Sequence, residues 1–211
     1  MEIILPLFLG IIISAVGITL PGLINMTAAK ISLKEGRQRA VIFALGATTV
    51  VFFQTYIAVS FAKFINSRPD IIYILEEAGL IIFVTLTIFF FFIAKKKKKK
   101  KEKEVVKLGS RVGNFFLGAL LSALNFFPIP YYVFVSVSLS KHNYFHFTPL
   151  FIFLFVIGVV VGSFSVFYLY IVFFKKIEHK TDFFMENINY ILGSVTGLIS
   201  IITIIKMIRN H

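Results

Sequence analysis

Charged residues divide the chain into six uncharged, largely apolar blocks: Ile3–Ala29, Ala40–Ala62, Ala78–Ala94, Val112–Ser140, Phe147–Phe174 and Asn187–Ile205. They are 27, 23, 17, 29, 28 and 19 residues long, against the roughly 20 apolar residues that a helix needs to cross a bilayer. The third is the shortest and gains a turn if Tyr73–Glu77 continues it. Apolar positions run continuously instead of alternating, which argues against the strands of an outer-membrane barrel. The pattern predicts an all-α integral membrane protein with six transmembrane helices. The first block is read as a span, not a cleaved leader. Met1-Glu2 supplies no basic flank, and the apolar run continues well past Ser14-Ala15-Val16-Gly17.

Composition agrees with this pattern. Of 211 residues, 58% are hydrophobic and 15% charged, where a soluble domain has about 45–50% and about 25%. The net charge of +12 is segregated. Counting Lys and Arg on alternate sides of six spans puts 17 on one side and 5 on the other. The positive-inside rule then places the basic loop in the cytoplasm and both termini outside. The tract Lys95–Lys101 dominates that loop. It lacks the interleaved arginines and aromatics of a nucleic-acid surface, so it is read as a solvated linker that attracts anionic headgroups. The expected organisation is a three-helix segment over 1–94, a basic linker over 95–111 and a second three-helix segment over 112–211.

The two segments resemble each other. Gly10, Ser14 and Ala15 recur as Gly118, Ser122 and Ala123 at an offset of 108. Phe43, Gly46, Phe52, Tyr56, Phe61 and Lys63 recur 112 positions on as Phe155, Gly158, Phe164, Tyr168, Phe173 and Lys175. Tyr73-Ile74-Leu75 returns as Tyr190-Ile191-Leu192, and Gly79-Leu80-Ile81 as Gly197-Leu198-Ile199. A unit of three spans is odd, so the second copy enters the membrane from the opposite face. Inverted repeats of this kind are a recurrent plan of secondary transporters, because two near-equivalent halves can exchange inward-open and outward-open shapes at little free-energy cost.

Each half carries one helix-breaking sequence in its first span. The first is Thr19-Leu20-Pro21-Gly22 with Asn25, and the second runs from Asn125 through Pro128 to Pro130. Proline removes a backbone donor and clashes with the preceding turn. The backbone groups freed within the membrane then need protein, water or ligand partners. Matched interruptions point to a transporter site, although a pair of packing kinks would leave the same trace. The candidate substrate-binding residues are Pro21, Gly22, Asn25, Gln54, Asn125, Pro128 and Pro130. For Gln54 an interhelical hydrogen bond is an equal alternative.

The remaining polar groups are read as structural. Thr48, Thr49, Ser163 and Ser165 bond or pack helices, and Gly158-x-x-x-Gly162 and Gly193-x-x-x-Gly197 allow close helix approach. Glu76 and Glu77 are assigned to the outer interface. His142 and His146 stand four apart, but no third ligand supports a metal site. No metal, cofactor or catalytic residue is expected, since no G-x-S-x-G, H-E-x-x-H or P-loop pattern occurs. The absence of cysteine excludes disulfides, thiol nucleophiles and cysteine-based electron transfer.

The N-terminal Pro21-Gly22 with Asn25, the Gly36 to Gly46 region and the Gly118…Asn125…Pro128 segment together resemble the lysine-exporter (LysE/RhtB-type) translocator family. The resemblance spans essentially the whole chain. It implies a bacterial inner-membrane exporter of amino acids or related small solutes, driven by the proton gradient. Departures are visible: Leu23 replaces the second proline of a P-G-P motif, Ile24 stands where an Asp is common, and two phenylalanines separate Asn125 from Pro128. An acidic residue common early in helix two is missing near Val50-Val51. The expected function is a secondary transporter, with Asn25 and Asn125 binding polar substrate atoms. Its partners are a small-molecule substrate and the lipid bilayer, with no nucleic acid; a homo-oligomer is compatible with the sequence. The alternative is a non-transporting membrane interaction protein, suggested by the missing carboxylates and the Phe-rich walls.

Overall fold

The first helix buries its small residues and exposes its large ones. In α1 (Ile4–Ile18), Pro6, Gly10 and Ser14 are buried, while Phe8, Ile12 and Val16 are exposed. This is the reverse of a soluble amphipathic helix and suits a helix that meets its neighbours through small residues and lipid through large ones. The same register returns in α4 (Arg111–Ala123). There Asn114, Gly118 and Ser122 are buried, while Phe116 and Leu120, with Leu124 just beyond the helix, are exposed. Each of these positions is 108 residues from its counterpart in or near α1.

These observations come from a computed structural model that describes residues 4–68, 80–81, 84–85, 87–93, 110–186 and 188–210. Glu76, Glu77, the repeat block Tyr73–Leu75, Gly79 and the Lys95–Lys101 tract lie outside the described residues. The other helices are α2 (Leu23–Glu35), α3 (Arg37–Asn66), α5 (Pro128–Lys141), α6 (Pro149–Glu186) and α7 (Ile188–Asn210), with a π-helical turn at Phe89–Ile93. Among the described residues every regular element is helical. Among the described residues, two segments are long and apolar enough to cross a membrane on their own, Arg37–Asn66 and Pro149–Phe173. Two further spans arise if each bent pair counts as one: α1 with α2, bent by 81°, and α4 with α5, bent by 59°. The first apolar block is thus interrupted at Pro21 and the fourth just before Pro128.

Helices also run beyond the apolar blocks. The charged stretch 30–39, which lies between the first two apolar blocks, is helical except at Gly36. There a φ of +92° turns the chain between α2 and α3, a conformation that favours glycine. Charge ends an apolar run without ending a helix, because side chains at a helix end can reach the interface.

One compact unit comprises residues 1–67 and 105–177, drawing on both sequence halves. Its contacts are set by glycine. A Cβ on Gly10 would strike the Phe155 carbonyl oxygen, and one on Gly158 the Leu7 carbonyl oxygen, so α1 and α6 meet backbone to backbone. A Cβ on Gly118 would strike the Phe43 carbonyl oxygen, and one on Gly46 that of Phe115, so α4 and α3 do the same. The second pair of contacts is the first with its residues shifted by the repeat offsets of 108 and 112. Gly162 sits against Ile11 and Ser14 of α1. Around these contacts Phe43, Ala44, Ala47 and Phe167 form one buried cluster, and Val59, Tyr132, Phe145 and Phe155 belong to another.

The other unit comprises residues 68–104 and 178–211. Within it Gly193 faces the Phe91 ring and Gly197 faces Thr87, so the small-residue stripe of α7 seats the π-helical segment. The Phe91 and Tyr190 rings lie 6.3 Å apart.

Candidate substrate site

At the first break, α1 stops at Ile18 and α2 starts at Leu23. Unwinding leaves carbonyls without helical partners, and three of them are taken by side chains. The Asn25 amide nitrogen donates to Ile18 O at 2.7 Å and to Leu20 O at 3.0 Å. The Tyr170 hydroxyl, reaching from α6, donates to Thr19 O at 2.8 Å. Asn25 is buried and Pro21 is buried beside the break. Gly22 adopts an extended conformation as the N-cap of α2, and no side chain caps that helix.

At the second break, α4 ends at Ala123 and α5 begins at Pro128, where proline is tolerated because the first-turn N–H has no helical acceptor. Gln54, buried in α3, donates its amide to Ser122 O at 3.1 Å and to Asn125 O at 2.9 Å. The Asn125 side chain is exposed, and its Oδ1 accepts from Phe127 N at 3.3 Å, closing a short local turn. Side-chain amides therefore serve both breaks.

A cavity of about 410 Å³ lies between the two breaks, within the range of about 300–1,000 Å³ usual for small-molecule sites. Gly22, Asn25, Asn125 and Pro128 line it. Pro21, Gln54 and Pro130 are not among its lining residues; Gln54 instead holds the second break in place. Tyr131 and Tyr132 of α5 also line the cavity. The Tyr131 hydroxyl donates to Ile13 O in α1 at 2.9 Å, and its ring stacks on Phe127 at 5.9 Å.

The sequence reading did not single out Tyr131, Tyr132 or Tyr170. The available signal was a phenol amid apolar blocks, since a buried Tyr hydroxyl usually finds a partner. It also missed a buried carboxylate. The Glu35 side chain is 1% exposed, and its Oε2 accepts from Asn114 Nδ2 at 3.0 Å and from Arg39 at 3.2 Å, tying α2 to α4 and α3.

Two other features are separate from the cavity. A more open cleft of about 520 Å³ is lined by Arg37, Arg111 and Tyr168, with the Arg37 guanidinium 4.8 Å from the Tyr168 ring centroid. His142 and His146 are engaged individually. The former lies 2.8 Å from Ser138 O through Nδ1, and the latter packs edge-on against Phe151.

The family model of the LysE type translocator matches residues 15–206. The chain belongs to the LysE type translocator family. Comparison with curated proteins and with solved structures gives no match. As a LysE type translocator it is a multi-pass membrane transporter of amino acids or related compounds. The cavity between the broken spans is the candidate place for its solute.

Proposed function

We propose that this LysE type translocator is a secondary carrier that exports amino acids or related small metabolites across the bacterial inner membrane by alternating access. In this reading it has six spans, arranged as two inverted three-helix repeats over 1–94 and 112–211. The 95–111 linker is cytoplasmic and both termini are outside. The observation that carries the proposal is the convergence of both broken spans on one cavity. The paired glycine contacts, related by the repeat offsets, support the inverted plan.

In this mechanism the substrate carboxylate lies at the uncapped start of α2, lined by Gly22 and Asn25, where helix N–H groups favour an anion. The ammonium group lies toward Asn125 and the C-terminal carbonyls of α4, the end of a helix that favours a cation. Pro21 lies in the unwound segment, Pro128 and Pro130 occupy the first turn of α5 after the second break, and Gln54 supports that break. Proteoliposomes loaded with labelled amino acids test the reading. Release faster than from protein-free liposomes is expected, and Asn125→Leu is expected to insert normally and lose that release. No release across an amino-acid panel would overturn it.

A further inference from the structure

The polar and apolar groups of the cavity are separated. Its amide side chains stand at the breaks, Asn25 on one and Asn125 on the other, and its phenols are Tyr131, whose hydroxyl is bonded to Ile13 O, and Tyr132 of α5. The rest of the wall includes Val51 of α3, Leu121 of α4 and Phe167 of α6. Val51, Tyr132 and Phe167 are buried in the packed core, so they form a fixed surface. None of the sixteen lining residues is Asp, Glu, Lys, Arg or His. An ammonium or guanidinium group pressed against such a wall would lose its hydration without gaining a counter-charge, and so would a second carboxylate. An aliphatic or aromatic side chain loses little there and gains contact with the rings.

We propose that this cavity selects zwitterionic amino acids whose side chain is uncharged and apolar, and that it discriminates against lysine, arginine and the acidic amino acids. The inference rests on the export reading and makes it specific. The breaks hold the shared α-amino and α-carboxyl groups, while Val51, Leu121 and Phe167 sort the side chains.

Self-exchange in proteoliposomes tests it, using labelled phenylalanine, leucine, lysine and glutamate, each against its own unlabelled internal pool. Phenylalanine and leucine are expected to exchange at least about tenfold faster than lysine or glutamate, a discrimination of the order that a charge left unpaired against an apolar wall produces. Val51→Asp places a carboxylate on the apolar wall and is expected to raise the lysine-to-phenylalanine exchange ratio about tenfold. Leu121→Asp provides the same test from the adjoining helix α4 if the first variant fails to insert. Lysine exchanging as fast as phenylalanine in the unmodified protein overturns the selectivity and leaves the carrier reading standing. Absence of exchange with every amino acid, from protein shown to be inserted and folded, overturns both.

Discussion

Gln54 reaches from α3 to the backbone carbonyl of Asn125, at 2.9 Å, in the break between α4 and α5. With its second bond to Ser122 O, one side chain satisfies two carbonyls where helical bonding stops. Gln54→Leu keeps the approximate volume and removes both donors. It is expected to cost about 1–3 kcal/mol, the penalty of leaving buried acceptors unmet, and to slow exchange by loosening the second break. Thermal unfolding in nanodiscs, measured beside exchange, checks both effects.

The two breaks are expected to respond differently to loss of their asparagines. Asn25 spends its amide on Ile18 O and Leu20 O, whereas the Asn125 side chain makes one local turn contact. Asn25→Leu should therefore lower both stability, by about 1–3 kcal/mol, and transport. Asn125→Leu should lower transport with little change in the unfolding temperature. Equal loss of stability in the two variants would show that Asn125 has a structural role the hydrogen bonds do not reveal.

Tyr131 donates its hydroxyl to Ile13 O within α1, and Tyr170 donates to Thr19 O just past its end. Phenylalanine at either position keeps the ring and removes the bond. Each substitution is expected to destabilise by about 0.5–1.5 kcal/mol. Accessibility should also rise around residues 18–22, readable as maleimide labelling of a cysteine placed at Leu20. The natural chain has no cysteine, so such a probe reports from a single position.

Glycine substitutions provide a test of packing. Gly10→Val, Gly46→Val, Gly118→Val and Gly158→Val each drive a side chain into a facing backbone. Overpacking costs of about 1–3 kcal/mol or more are expected for all four. Gly22→Ala should be milder, since the nearest atom to its new Cβ lies at 3.9 Å. A ranking by unfolding temperature checks this, and tolerance of the Gly118 substitution would contradict the packing described.

Much of this architecture was legible because the decisive residues act through local rules. Proline within an apolar run opposes continuation of the preceding helix, and the breaks fall at Pro21-Gly22 and just before Pro128. Gly10 and Gly118 showed through the repeat, because close helix approach constrains residue size at fixed spacing. What remained hidden depends on distant partners. Tyr170 meets Thr19 across 151 positions and Glu35 meets Asn114 across 79, and nothing near either residue in the chain announces the pairing. Gln54 had two equal readings, and its bonds to Ser122 O and Asn125 O favour the helix-to-helix one. Glu35 was also obscured by the charged residues around it, which fall outside the apolar blocks although helices fill that stretch.

Where Gly10 lies on Gly158 and Gly118 on Gly46, no side chain intervenes to be compressed or re-oriented. Each couple, α1 with α6 and α4 with α3, is therefore held in register by main chain lying on main chain. The unwound joints are pinned to the same couples, for Tyr170 of α6 holds Thr19 O beside α1 and Gln54 of α3 holds Asn125 O beyond α4.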